Sequence, residues 1–401
     1  MLDFADKVAK LCLDKYNSLK KSGKPTDNEW TVLSSIVLKS GVDELSVVAL
    51  CTGTKCLSGK ELTSTKFEER GSRLSDSHAE ILTRRAFLRY LYSQIASVLK
   101  CQHSDIFILN DKGNITIKKG ISFHFFSSQT PCGDCSIIPK INTSLLDGNY
   151  HPSKKIKFLN KRESAEIEVG NEVDDIHRTG AKCISTDERQ DLHQPGKNYH
   201  VLGPLRTKPG RGDRTLSLSC SDKIAKWIVV GIQGSLLSLF IPMIKLETLI
   251  IGGECPFSIE SMERGLFKRF NSDIVRPNII QSSISFQQKK GGSRQNPCPS
   301  SIIWSSVPER DLEVAAEGRK QGSTKKKPGR CLLVSRRAIF KEFLEICDRY
   351  SNSPLPLHPK KITYFHCKQW SKSYQKLWHE AKVTVFRVWP SKPLELQNFT
   401  L

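Results

Sequence analysis

The sequence predicts one α/β domain. Three observations predict it. Stretches rich in β-branched residues alternate with helix-spaced stretches in the order β–β–α–β–β–α and then α–β. No internal repeat divides the chain. Two motifs bearing histidine or cysteine, SHAEI (77–81) and PCGDC (131–135), each stand where a strand gives way to a predicted helix. The chain has 401 residues, 38% hydrophobic and 8% aromatic, enough to bury a sizeable core. Residues 1–401 read as a single domain with polar insertions near 148–212 and 285–330.

The elements follow in order. Residues 1–21 carry Phe4, Val8, Leu11, Leu13 and Leu19, mostly at helical spacing. Asp3 and Asp6, with no long apolar run, make this an amphipathic helix rather than a secretory signal. EWTVLSSIVLKS (29–40) and LSVVALCTGTKCL (45–57) read as strands, and GTK inside the second is turn chemistry. DSHAEILTRRAFLRYLYSQIASVLK (76–100) is the clearest helix, with Asp76 or Ser77 at its N-cap and Glu80 in its first turn. IFILN (106–110) and ISFHFFSSQTPC (121–132) are further strands. PCGDCSIIP (131–139) begins another helix, with Pro131 in the first turn.

The polar stretch 148–212 is longer than an ordinary loop. SCSDKIAKWIVVG (219–231) resumes helix. From Trp227 to Ile244 there is no charged residue, but Gly231, Gln233, Gly234 and Pro242 argue for a broken buried helix over a membrane span. LETLIIGG (246–253) and IVRPNII (274–280) are strand-like, with a helix over ERGLFKRFNS (263–272) between them. GRKQGSTKKKPGR (318–330) is a basic loop, either a solvated charge run or an RNA contact or nuclear import signal. Near the C-terminus Tyr364, Trp370, Tyr374 and Trp378 interleave with Lys368, Lys372 and Lys376.

Charge narrows the partners. The net charge is +21, from 62 Lys+Arg against 41 Asp+Glu, and nucleic-acid phosphates are the simplest counterweight. Thirteen cysteines at irregular spacing fit reduced thiols better than a disulfide framework. That places the protein inside the cell, in nucleus or cytoplasm.

His78 and Glu80 stand two apart, and Cys132 and Cys135 three apart after a proline. Together they form the H-x-E…P-C-x-x-C signature of zinc nucleobase deaminases. Hydrolytic deamination needs a metal to lower the pKa of water, three protein ligands that leave one position open, and a non-ligand carboxylate to carry protons. His78 with two thiolates suits zinc, and Glu80 suits the proton carrier. On this template Cys135 is the second thiol, yet Cys220 in LSCSDKIAKW competes for the third ligand position.

SDSHAEILTRRAFLRYLY, PCGDC, RTGAKCI (178–184), LRTKPGRGDRT (205–215), SCSDKIAKWIVVGIQGSLLS (219–238) and KSYQ resemble the adenosine-to-inosine RNA deaminases. The likeness is weakest over 140–175 and 285–330. It implies a cytidine-deaminase-like three-layer α/β/α fold, enlarged by C-terminal elements. It implies zinc held by His78, Cys132 and Cys220, with Glu80 as proton shuttle. Cys135 then departs from the family pattern and becomes a buried neighbour.

The resemblance also implies a buried inositol hexakisphosphate. The matching residues are Lys55, Arg84, Arg85, Lys223, Lys226, Trp227, Arg336, Tyr364, Lys368, Lys372, Trp389 and Lys392. Arg84 and Arg85 lie inside an otherwise apolar helix, and buried cations are costly unless paired. Ser75 stands where relatives often have Asn.

For substrate, the resemblance implies tRNA, at the adenosine just 3′ of the anticodon (position 37) of tRNA-Ala. No segment for a double-stranded RNA binding domain is evident, and only the short PGRGDRT precedes SCSDK. A short basic loop suits a base that is already unstacked. Thr54 matches a residue near the target ribose, and Arg206, Lys208, Arg211 and Arg214 are expected to contact phosphates. Two alternatives stand beside this reading: an editor of double-stranded RNA, and an inactive RNA-binding scaffold.

Overall fold

The computed structural model describes residues 1–41, 44–64, 69–140, 175–210, 214–270, 274–324, 329–352 and 362–401. A mixed eight-stranded sheet forms its centre. Its strands are β1 (Leu33–Ser40), β2 (Glu44–Thr52), β3 (Ile121–Ser127), β4 (Thr248–Ile251), β5 (Asn278–Gln281), β6 (Ser300–Ser305), β7 (Leu312–Ala316) and β8 (Arg319–Lys320). Their spatial order is β5-β4-β3-β1-β2-β6-β7-β8. β1 pairs antiparallel with β2 and β3, and β4 and β5 extend that side in parallel. β6, β7 and β8 extend the other side antiparallel.

Both faces of the sheet are buried, so its inner strands read as apolar runs rather than alternations. Period 2 sends neighbouring residues to opposite faces. Val47, Leu50, Phe126, Ile250, Ile302 and Trp304 pack against helix α1 (Leu2–Ser18) through Ala5, Val8, Cys12 and Tyr16. Ile36, Val48, Cys51, Phe123, Phe125, Leu249 and Ile303 face the larger core. That core holds α2 (Ala79–Leu99), α3 (Cys220–Val230), α4 (Ile259–Leu266), α5 (Arg336–Arg349) and α6 (Lys372–Thr384). The result is the predicted helix–sheet–helix layering.

α2 is apolar almost all round and correspondingly buried on most sides. Its Thr83 hydroxyl donates to Ser34 O at 2.8 Å, and Ser305 Oγ donates to Ala86 O at 2.9 Å, tying the helix to β1 and β6. The helix begins later than the sequence indicates. Asp76–His78 is a short strand paired with Thr54–Cys56, and His78 itself is the N-cap. Asp76 therefore spends its carboxylate on ion pairs instead of a helix cap.

Three other expectations are corrected, and the strand expected at IFILN is present but stands apart. PCGDCSIIP forms one 3-10 turn at Asp134–Ser136 and then the strand Ile138–Lys140. Pro139 and the β-branched residues before it leave no room for a longer helix. IFILN does not join the main sheet; Phe107–Leu109 makes a hairpin with Ile115–Ile117. The stretch near 285–330 is no mere insertion, because it supplies β6, β7 and β8. Serines flanking SIIW disguise a strand whose core positions are fully buried. Within 148–212, residues 148–174 and 211–213 lie outside the described residues. From Asp175 the chain forms short paired strands, Asp175–His177 with Ile138–Lys140 and Lys182–Cys183 with Arg206–Thr207. Residues 325–328 of the basic loop also lie outside them.

The charge-free stretch from Trp227 contains the end of α3 and the short helix Gly234–Leu237. No helix among the described residues is long and apolar enough to cross a membrane. None of the thirteen cysteines is in a disulfide.

Candidate active site

Three elements converge on one point. The first is the break after β2. Gly53 has φ +150°, and a Cβ there would lie 2.0 Å from Ser77 O, so the two chains can only approach this closely at glycine. Gly53 O in turn accepts from Ala79 N at 3.0 Å. This contact sets Thr54 opposite His78 in the short ladder. The second element is the PCGDC turn. Gly133 has φ +106°, and a Cβ there would lie 2.3 Å from Ser219 Oγ. The turn thus sits directly on the N-terminus of α3. The third is α3 itself, capped by Ser219, whose hydroxyl accepts from Asp222 N.

At the convergence His78 Nδ1 lies 3.8 Å from Cys132 Sγ and 3.6 Å from Cys220 Sγ. All three ligand atoms fall within 4.8 Å of one another. A tetrahedral zinc with ordinary Zn–S and Zn–N bonds sets sulfur and nitrogen about 3.6 Å apart, so this donor set fits zinc. Cys220 N also donates to Cys132 Sγ at 3.4 Å, and the start of α3 favours a thiolate there. The hydrogen bond from the Cys220 thiol holds Cys132 well below the usual thiol range, helped by Lys208 and His78.

Cys135 faces elsewhere. Its thiol donates to Met262 O and packs against Gly265 of α4, and burial pushes its pKa up to about 12. Of the two cysteines competing for the third position, Cys220 is the one beside His78.

Glu80, in the first turn of α2, is buried, and burial raises its pKa above the usual carboxylate range against the pull of His78. A carboxyl so placed takes up and gives back a proton more readily than a surface glutamate. Thr54 Oγ1 is buried with no hydrogen-bond partner among the described residues.

Beneath the ligands lies a buried ion triad. Asp76 accepts His78 N at 3.0 Å and pairs with Lys208 at 3.0 and 2.8 Å and with Lys223. Burial alone would raise the Asp76 pKa, but the two ammonium groups hold it far below the usual range. Lys208 moves the other way, because Asp76 and the nearby thiols outweigh its burial.

Lys223 leads into an internal cavity of about 270 Å³. Arg84, Arg85, Lys223, Lys226 and Trp227 line it from α2 and α3. Arg336, Tyr364, Lys368, Trp389 and Lys392 line it from the C-terminal elements. Asp76 is its sole carboxylate among the described residues and is already paired. The cations burden one another. Burial, then Arg336, push Arg85 down to about 9, and burial with neighbouring cations puts Lys226 well below its usual value. Arg85 Nη2 is buried without a hydrogen-bond partner among the described residues. Lys226 sits 3.6 Å above the Trp378 ring, a weak substitute for a counter-ion. These residues fit a compact polyanion.

Two expected cavity residues lie off its wall. Lys372 is exposed at the start of α6, and Lys55 sits where its charge acts on Cys298. Tyr374, Gln233 and Gln397 also line the cavity, beyond the residues that the resemblance implies, and Tyr374 lies within the KSYQ motif. Lys392 Nζ donates to Ser75 Oγ at 2.8 Å, so serine serves at that position.

The expected phosphate contacts need correction. Arg206 is fully buried, bound to Asp191 through two bonds of 2.6 Å, and Lys208 is fully buried on Asp76. Neither reaches a phosphate at the surface. Arg214 is exposed and donates to Cys183 O at 3.2 Å. Arg211 lies outside the described residues.

With this geometry established, comparison with known proteins is informative. The family model "Adenosine-deaminase (editase) domain" matches residues 49–393. The chain is similar to tRNA-specific adenosine deaminase 1 of Homo sapiens, 32% identical over 98% of this chain and 99% of that one. It is 36% identical to the Drosophila melanogaster protein of the same name, over 98% and 96%. The Double-stranded RNA-specific editase Adar of Drosophila melanogaster is 29% identical over 99% of this chain and 55% of that one.

Metal analysis tests the ligand set. Purified Cys220→Ser is expected to lose its zinc and Cys135→Ser to keep it; the reverse pattern overturns the assignment. Stability tests the buried role of Arg206. Arg206→Met is expected to cost about 3–5 kcal/mol in denaturant unfolding, the usual loss when one partner of a buried pair is removed. Burial raises the Asp191 pKa, but bonds from Arg206 hold it below the ordinary range. A lowered pKa adds stability above the unfolded value and loses it as pH falls. The stability gap between wild type and Asp191→Asn at pH 5 is therefore expected to shrink below about pH 4.

Proposed function

The chain belongs to the adenosine-deaminase (editase) domain family, and from that premise we propose that it deaminates an adenosine of tRNA to inosine, releasing ammonia. The position we infer is adenosine 37, next to the anticodon of tRNA-Ala. The observation that carries the chemistry is the cluster of His78, Cys132 and Cys220 with buried Glu80 beside it. The tRNA-specific relatives, similar along nearly their whole length, support the substrate.

His78, Cys132 and Cys220 would hold zinc, which would lower the pKa of water and so supply a nucleophile near neutral pH. Glu80 holds the proton to be moved and delivers it to adenine N6 as the amine leaves. Asp76, by accepting His78 N, fixes the backbone from which the imidazole projects. Thr54 Oγ1, opposite His78 and without a hydrogen-bond partner among the described residues, would hydrogen-bond the target ribose. The cationic cavity would take inositol hexakisphosphate, whose phosphates would satisfy Arg85 Nη2 and the depressed lysines. The free thiols suit a reducing compartment, nucleus or cytosol.

Incubating pure protein with transcribed tRNA-Ala and scoring inosine at each adenosine tests the reading. Wild type is expected to convert adenosine 37. Glu80→Gln is expected to lower kcat about 10²–10⁴-fold, the usual contribution of a general acid–base group. Conversion of long duplex RNA alone would overturn the tRNA assignment, and equal turnover by Glu80→Gln the mechanism. Acid-denatured protein is expected to release inositol hexakisphosphate at one molecule per chain, read by phosphorus analysis and chromatography. Phosphorus-free protein with full activity would remove the cofactor.

A further inference from the structure

We propose that Arg178 and Tyr199 form a stacking platform for an unpaired nucleobase flanking the target adenosine. The proposal rests on the reading of this chain as an RNA adenosine deaminase. The Arg178 guanidinium lies 4.0 Å from the centre of the Tyr199 ring. Its side chain nevertheless stays 47% exposed, so the plane is backed on one face and open elsewhere.

An exposed arginine usually wanders. This one stands on a built support. Asp175 Oδ1 lies 3.8 Å from a terminal nitrogen, near enough for charge attraction, while its other oxygen pairs with Lys140 at 2.6 Å. Tyr199 is gripped edge-on by His193 and His200, with ring centres 5.1 and 4.8 Å away at 75° and 80°. His193 N donates to Tyr199 O at 3.1 Å and closes the loop between them. Beneath, His200 lies 3.1 Å from Asp191, which anchors the buried Arg206. The arginine that proves too buried to touch RNA thus holds up one that is not.

The platform also lies beside the proposed chemistry. Thr179, the next residue, accepts a hydrogen bond from Gly133 N at 3.1 Å, and Gly133 follows Cys132. Two peptide steps and one hydrogen bond span on the order of 10 Å. That is the reach of a nucleotide adjoining one whose base enters the site.

The chemistry selects a base over a phosphate. A phosphate takes the edge of a guanidinium, through its N–H groups, and the Asp175 carboxylate near that edge repels a second anion. A flat cation backed by a ring is instead the surface on which unpaired bases stack, whatever their identity. Bases in an intact duplex are already stacked on one another. The platform therefore favours RNA in which the neighbour of the target is splayed out, as in a loop.

The test uses an RNA hairpin with 2-aminopurine in the loop next to the target adenosine. Binding of wild type is expected to change the probe's fluorescence through stacking. Arg178→Lys keeps the charge and removes the plane. It is expected to abolish that change and to raise KM on tRNA-Ala about 5- to 150-fold, with a smaller effect on kcat. Tyr199→Phe keeps the ring and is expected to preserve the signal. A wild-type signal and KM in Arg178→Lys would overturn the proposal, leaving a simple charge contact. Failure of wild type to deaminate any RNA would instead overturn the functional reading, and the fluorescence arm would still decide the stacking.

Discussion

One buried carboxylate connects the two halves of the site. Asp76 accepts the backbone N–H of His78 and pairs with both Lys208 and Lys223. Lys208 faces the thiols, and Lys223 faces the cationic cavity. Removing Asp76 would leave two uncompensated ammonium groups in the interior, which is far more costly than the pairs are favourable. The triad therefore fixes the distance between the ligand cluster and the cavity. It also explains why an aspartate so close to a helix start does not cap the helix.

The cavity is the counterpart constraint. Its cations come from α2, α3, α5 and the C-terminal elements, segments remote in sequence. Without an anion their mutual repulsion and burial oppose the closing of these elements around one another, as the depressed values of Arg84, Arg85, Lys226, Lys368 and Lys392 record. With a polyanion the same charges become the bond that holds the C-terminal helices to the core. The proposed inositol phosphate is then a folding partner as much as a cofactor. Its influence on the ligand cluster passes through Lys223 and Asp76.

The sequence made the chemistry legible because its residues are few and ordered. HAE, PCGDC and SCSDK carry the three candidate ligands and the buried carboxylate, and strands around 33–52, 121–127 and 248–251 announce themselves by composition. The choice between Cys135 and Cys220 was not settled by the C-x-x-C spacing, which would serve either arrangement. What decides it is the single 3-10 turn after Cys132, which turns Cys135 towards α4. The fate of the basic residues was the least legible. Arg206 and Lys208 look like a surface pair in LRTKPGR, yet their partners lie at Asp191 and at Asp76, 132 positions away. A cation is interior or exterior according to a long-range partner that local pattern does not reveal. The same limit hid β6, which is placed in the core by pairing with β2 and not by local periodicity, and from which β7 and β8 continue outward.

These partnerships divide the basic charge into two populations with different work. One is interior: Arg84, Arg85, Lys208, Lys223, Lys226 and Arg206, fixed by buried acids or awaiting a buried anion. It contributes to the net charge of +21 but offers nothing to RNA. The other is at the surface, and Arg178 and Arg214 belong to it. Net charge alone therefore overstates the nucleic-acid surface of such a protein. A salt titration of RNA binding counts the phosphates neutralised by exposed cations. It would report a number set by the second population, well short of the excess of Lys and Arg in the sequence.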